Sequence, residues 1–240
     1  MAGFTYTSGI VIQQSDVRRP LRHTALVRIT HWVFTLSFFG LLVSGFAIIL
    51  AHPHFYWGET GAIGTPSLFD LPLPTMTGGP SGWGRSLHFL SAWIAIFTGL
   101  LYFTSGILTQ HFRNQLFPAL ASMSWRVLRA TALDHLRLKR PADQGSYNVF
   151  QRLAYLAVIF LLFPMMIVTG FAMSPAITSV VPQFVTVFGG QQTARTLHFF
   201  LTVVLVLFLA VHVAMVILAG FAARMRAMIT GRPGPTKERS

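Results

Sequence analysis

Four stretches of this chain contain no charged residue: residues 29–58, 86–112, 153–194 and 196–223. A helix needs about 20 consecutive apolar residues to cross the hydrocarbon core of a bilayer. The first, second and fourth stretches each hold one such span. The third holds one span and a loop broken by Pro175 and Pro182. The expected spans are near 27–50, 86–108, 149–173 and 194–221. Only 10% of the 240 residues are charged and 53% are apolar, so the chain cannot supply the charged skin of a soluble domain. The expected fold is all-α, an integral membrane four-helix bundle forming one domain over residues 1–240.

The basic residues set an orientation. Sixteen of the eighteen Lys and Arg fall in the N-terminal tail, in the segment from Arg113 to Arg152, and in the C-terminal tail from Arg224 to Arg239. Four spans put these three segments on one side, and the positive-inside rule makes that side cytoplasmic. Both termini are therefore expected in the cytoplasm. The outward side keeps only Arg85 and Arg195. The net charge of +12 thus reads as topology and attraction to anionic lipid, not as nucleic-acid binding. The long, uncleaved first span follows a mixed basic leader, which does not fit a secretory signal. The outward loop, 51–85, is rich in Gly, Pro and aromatics (Phe55, Tyr56, Trp57, Trp83), which suits an interfacial belt or a docking surface. The inward segment 109–148, with Trp125, Leu128, Leu133 and Leu136 among basic residues, suits an amphipathic surface helix. The tail 224–240 is expected to be flexible.

With no cysteine, disulfides, iron–sulfur clusters and covalent haem attachment are excluded. Nine histidines remain. A histidine at membrane depth is costly and points to function. His31 lies one turn into the first span and His88 one turn into the second, while the fourth holds His198 and His212. Fourteen residues separate the last two, about 21 Å of rise and about 40° of rotation, so they share one helix face near opposite leaflets. His88 and His198 open their helices at the same outward depth. His31 and His212 lie together at the cytoplasmic end. Two His–His pairs follow, one per leaflet, and facing histidines in a helix bundle are what low-spin haem b requires. A lone membrane histidine also serves as an inter-helix hydrogen-bonder. Zinc would call for closer ligands and a carboxylate, which no span contains. His52 and His54 are expected at the interface, His111 closes the second span, and His23 and His135 are expected to be solvated.

Arginine precedes a candidate ligand by three residues at Arg28–His31, Arg85–His88 and Arg195–His198. Such pairs share a helix face. An arginine one turn outward from a ligand can hold a haem propionate bidentately, although arginines at helix ends also snorkel.

His31-Trp32, His88, and His198 with His212 resemble a known superfamily. It comprises the cytochrome b (gamma) subunits of formate dehydrogenases, the cytochrome b of nickel–iron hydrogenases and the bacterial b561-type cytochromes. The nearest resemblance is to the thiosulfate-reductase-type cytochrome b. It is carried by Ala51-His52-Pro53 through Tyr56-Trp57-Gly58-Glu59, by Asp134-His135-Leu136-Arg137-Leu138, by Tyr147-Asn148-Val149-Phe150-Gln151, and by Phe188-Gly189-Gly190-Gln191 running into His198. The resemblance implies two non-covalent haem b, with His31 and His212 on the cytoplasmic-side iron and His88 and His198 on the outward one. It further implies a quinone site at Asn148 and Gln151, whose amides can both donate and accept. The same two residues can equally cap the third helix, with Gln151 at its N3 position.

Relatives of this kind imply electron transfer between an extracytoplasmic molybdopterin oxidoreductase and the quinone pool of the bacterial inner membrane. The chain carries no motif for substrate chemistry of its own. Two other readings stand beside this one. The first is a stand-alone b561-like quinone oxidoreductase that oxidises superoxide, steered by Arg85 and Arg195. The second is a haem-free transporter or assembly factor.

Overall fold

The computed structural model describes residues 24–59, 61, 64–74, 80–110, 112 and 149–232. Four helices in it are long and apolar enough to cross a membrane. The first, α1, runs Ala25–Ala51, with the Thr24 hydroxyl accepting from the Val27 amide at its start. The second, α2, runs Pro80–Leu108. The third span is α3 (Val149–Ala157), a π-helical turn (Val158–Leu162) and α4 (Phe163–Ala172). Two short helices follow, α5 (Pro175–Thr178) and α6 (Gln183–Val187). The fourth span is α7, Gln191–Leu218, and α8 (Phe221–Thr230) closes the described chain. The expected spans thus stand, each within a few residues, in an all-α membrane bundle. Leu36, Val43, Phe97, Leu207 and Val211 are all more than half exposed. Apolar surface of that extent needs lipid as its solvent.

The seam between α1 and α2 is built of small residues, because lipid supplies no hydrophobic drive and close backbone approach must hold the helices together. Ser44, Ala47, Ser91 and Ala95 are buried there. A Cβ added to Gly40 would stand 2.5 Å from Ser91 Oγ, and one on Gly84 would stand 3.2 Å from Ala47 Cβ. Buried hydroxyls of α1 return their protons to their own helix, as in Ser44 to the Gly40 carbonyl (2.6 Å) and Ser37 to the Val33 carbonyl (2.9 Å). Those two polar hydrogens are then not left facing hydrocarbon.

The π-turn in the third span has a local cause. Pro164 has no amide hydrogen and its ring crowds the preceding turn, so the helix widens before it. The Phe163 amide reaches back five residues to the Val158 carbonyl.

The 51–85 loop contains structure that an all-helical reading did not include. His54–Phe55 (β1) pairs antiparallel with Phe69–Asp70 (β2) in register His54↔Asp70 and Phe55↔Phe69. Phe55, only 1% exposed, stacks on Phe69 at 4.8 Å and meets Phe199 of α7 at 4.6 Å. Phe55 is therefore the loop's own core, whereas Trp57 and Trp83 remain exposed. The loop also caps α7. The Gly58 carbonyl accepts from the Gln192 and Thr193 amides, and the Gly58 amide donates to Thr193 Oγ1 at 2.8 Å. Gly190, at φ 133°, lies so close that a Cβ there would overlap the Gly58 carbonyl.

Residues 224–230, expected above in a flexible tail, are helical. Gly220 and Gly231 bracket α8 in the left-handed region, and strong helix formers fill the interval. α1 holds its last turn: Arg28 Nη1 donates to the Ile229 carbonyl at 2.6 Å and Trp32 Nε1 to the Met228 carbonyl at 3.2 Å. These are orphan carbonyls of a helix end, and a cation suits them. Trp125, Leu128, Leu133 and Leu136 lie outside the described residues.

Candidate functional site

His88 on α2 and His198 on α7 meet near the end of the bundle that carries the 51–79 loop. Their ring centroids are 6.2 Å apart with the planes inclined at 60°. Each ring is fixed from behind by a hydroxyl on the helix that precedes its own span. His88 Nδ1 lies 3.0 Å from Ser44 Oγ on α1, and His198 Nδ1 lies 2.9 Å from Thr169 Oγ1 on α4. Both hydroxyls already donate their single hydrogen to their own helix, Ser44 to the Gly40 carbonyl and Thr169 to the Met165 carbonyl (2.8 Å). Each can therefore only accept from the imidazole. With that polarity the ring proton would sit on Nδ1 of both rings, and Nε2 would keep its lone pair.

That arrangement fits an iron between the rings. At a centroid separation of 6.2 Å, His88 and His198 would each supply one imidazole nitrogen to a haem iron bound between them. Glycines flank both hydroxyls. A Cβ on Gly45 would stand 3.7 Å from His88 Cε1, and one on Gly170 would stand 3.6 Å from His198 Cε1.

The pairing has a counterpart in the sequence that reading by charge and histidine depth missed. Val43-Ser44-Gly45-Phe46-Ala47 recurs as Val168-Thr169-Gly170-Phe171-Ala172. Arg85-Ser86-Leu87-His88-Phe89 recurs as Arg195-Thr196-Leu197-His198-Phe199. The chain is thus an internal repeat of two helical hairpins. In each, a hydroxyl–glycine pair on the rising helix meets a histidine on the returning one.

The other expected residues fall as follows. His31 packs edge-on against Trp32 at 5.4 Å, near the end of the bundle that holds α8. His212 lies towards that same end of α7, against Phe208 (6.1 Å) and Tyr155 (6.4 Å). Ring-to-ring contact is described for His88 with His198. Arg85 and Arg195 line a cavity of about 900 Å³ beside the loop, with His52, His54, Tyr56 and Gln192. Arg195 also holds the loop: Nη1 donates to the His54 carbonyl at 3.0 Å, Nη2 donates to the His52 carbonyl, and the guanidinium stands 5.0 Å from the Phe55 ring centre. Arg28 spends Nη1 on Ile229, while its Nε is buried with no hydrogen-bond partner among the described residues. Asn148 lies outside the described residues, as do His23, His111 and His135. Gln151 lies on α3, in a turn whose side chains are not described.

His54 and Asp70, facing across the hairpin, are joined at 2.8 Å, and this bond holds the Asp70 carboxyl below the ordinary carboxylate value. Burial lowers the His52 pKa, with Arg195, Arg85 and His54 adding repulsion. Among the described residues no group of three or more His, Cys, Asp or Glu could hold a metal ion.

The profile of the family described as prokaryotic cytochrome b561 matches residues 22–231. The chain belongs to that family. A relative from Azospira oryzae, provisionally named protein-methionine-sulfoxide reductase subunit YedZ1, is 31% identical over 210 residues, covering 87% of this chain and 96% of the relative. No solved structure matches. This cytochrome b561 family member is accordingly a multi-pass protein of the bacterial inner membrane that binds haem b and transfers electrons. A haem-free transporter is thereby set aside.

Proposed function

We propose that this cytochrome is a di-haem subunit carrying electrons between an extracytoplasmic oxidoreductase and the quinone pool, with both termini in the cytoplasm. His88 and His198 would hold the outward haem b, and His31 and His212 the cytoplasmic-side one. Bound between such pairs, haem b would supply one-electron redox chemistry in the hydrocarbon core. The observation that carries the reading is the His88–His198 pair, 6.2 Å apart with both Nδ1 atoms tied down. The second pair is supported by the position of His212, about 21 Å along the same helix from His198.

Arg85 is the proposed propionate partner of the outward haem, since it lines the cavity one turn from His88. Arg195 is the second proposed propionate partner on that side: it holds the loop with one N–H of each Nη, and its three other N–H groups remain for a propionate. Arg28 can hold the inner propionate through the buried Nε left over from its bond to Ile229. Asn148 and Gln151 are the proposed quinone ligands at the cytoplasmic start of the third span. Their amides can donate to a quinone carbonyl and accept from a quinol hydroxyl.

The partner proposed is a molybdopterin oxidoreductase, on the motif resemblance and on the Azospira relative's name, which makes that protein a reductase subunit. A pyridine haemochromogen assay on the purified protein tests the cofactor reading, with two haem b per chain expected. Affinity purification from the native membrane tests the partner, which should co-elute and should reduce or oxidise the bound haem when given its own substrate. One haem per chain, or a haem-replete preparation with no co-eluting oxidoreductase, would sink the corresponding half of the proposal.

A further inference from the structure

Ser44 and Thr169 have no part in the reading above beyond holding the rings. We infer that they form a matched pair of positioning residues which fix both axial imidazoles of the outward haem in one tautomer and set that haem's redox potential. The inference rests on His88 and His198 being the ligands.

Three observations carry it. The hydroxyls lie 3.0 Å and 2.9 Å from His88 Nδ1 and His198 Nδ1, within hydrogen-bond range. Both are buried, Ser44 and Thr169 each at 0% exposure, so no solvent competes for the bond. They also occupy the same place in the repeated motifs Val43–Ala47 and Val168–Ala172, so the two halves of the chain carry the same device. A structural hydroxyl in a membrane helix needs only its own i−4 carbonyl, and both already have that through the Gly40 and Met165 carbonyls. The contact to the imidazole is in addition to that need, and it occurs twice.

Its chemistry follows from the donor count. A hydroxyl whose hydrogen is spent can only accept, so each Nδ1–H is held and each Nε2 faces away as a lone pair. Accepting from Nδ1–H raises the electron density on the ring and so its basicity as a ligand. A neutral hydroxyl does this less than a carboxylate would, and no acid lies in any span. The rings stay neutral. The ferric state is favoured modestly relative to a ring with no acceptor. Second-sphere hydrogen bonding of this sort is one of the levers by which a protein sets haem potential.

The test uses the full-length protein with its haem, in Ser44→Ala, Thr169→Val and the double variant. Three quantities are read: haem per chain, a redox titration followed by absorbance, and the low-temperature EPR of the oxidised low-spin haems. Two haem per chain should remain. The midpoint potential of one haem should rise in each single variant and rise further in the double, with a moved g-maximum for that haem alone. The other haem should stay put. Ser44→Thr and Thr169→Ser should return the wild-type potential, since they restore the acceptor. Unchanged potential and EPR in the double variant at full haem content would overturn the inference. If an alanine or valine variant loses the haem, the hydroxyl-bearing variants decide. Restored haem at wild-type potential supports the role, and failure to restore it makes the position one of packing only. A separate His88→Ala control keeps the two readings apart, because retention of both haems there would refute the ligand assignment itself.

Discussion

Arg195 donates from Nη2 to the backbone carbonyl of His52, and from Nη1 to that of His54 two residues on (3.0 Å). The guanidinium fork spans the carbonyls on either side of Pro53 and lies over Phe55, so a residue of α7 sets the course of the loop as it leaves α1. Both bonds lie where solvent can compete, so each contributes about 0.5–1.5 kcal/mol. Arg195→Met should therefore weaken the loop's docking by roughly 1–3 kcal/mol. Limited proteolysis within residues 51–79 should speed up, while the haem nearest the termini keeps its spectrum. Arg195→Lys should not rescue, because a single ammonium cannot reproduce the fork. Full protease resistance in Arg195→Met would show that the aromatic contacts of Phe55 suffice alone.

Replacing one histidine of a proposed pair should remove one haem and spare the other. His198→Ala is expected to lose the haem near the loop, and His212→Ala the haem near α8. Difference spectra and haem-to-protein ratios of the two variants should be complementary. Loss of the same component from both would mean that the depth assignment fails.

Acid should loosen the loop in two stages. His52 has a folded-state pKa below 6.5, so the unfolded loop takes up protons first as pH falls. Stability contributed by its neutral form is full above 6.5 and declines below it, through the lowered folded value. Asp70 has a folded-state pKa below 3.8, so its contribution is present above 3.8 and disappears as pH falls further. Proteolysis rates of the loop, measured against pH with an acid-active and a neutral protease, should rise in both windows. His52→Gln should remove the upper step and Asp70→Asn the lower. A single step untouched by either substitution would assign the sensitivity elsewhere.

Orientation can be read with reporter fusions. A reporter active only outside the cytoplasm should stay silent when fused after Arg232, beyond α8, and should work when inserted at Gly78. Activity at the first position or silence at the second would reverse the topology.

Asn148→Leu keeps roughly the side chain's volume and removes its donor and acceptor. Both haem spectra should persist and partner-driven reduction should proceed, while reoxidation by added quinone slows at least tenfold, the loss of about 1.4 kcal/mol of interaction. If Trp83→Ala instead slows it and Asn148→Leu does not, quinone meets the protein on the loop side.

Much of this molecule was legible from the sequence because the bilayer is a severe solvent. Uncharged runs of span length must become helices there, and each of the four did so within a few residues of the expected bounds. Histidine depth followed from helix rise alone, which is why His88 and His198 could be set opposite one another before any coordinates. The repeated hydroxyl–glycine and Arg-x-x-His motifs were equally present in the sequence. They become meaningful only once Ser44 is found behind His88 and Thr169 behind His198.

Other features belong to tertiary structure. Arg195 has the spacing of a propionate ligand, and its guanidinium also holds the His52 and His54 carbonyls, which come near it only after the loop folds back over α7. Phe55 reads as an interfacial aromatic and becomes a buried core residue because Phe69 and Phe199 arrive from either side. The carbonyls of Met228 and Ile229 are satisfied by Trp32 and Arg28, about two hundred residues earlier in the chain. One-dimensional spacing determines where a helix lies in a membrane and which of its faces a residue occupies. Which donor meets which acceptor depends on the packing of helix ends and loops, where the backbone has left its period and only the three-dimensional neighbours remain to decide.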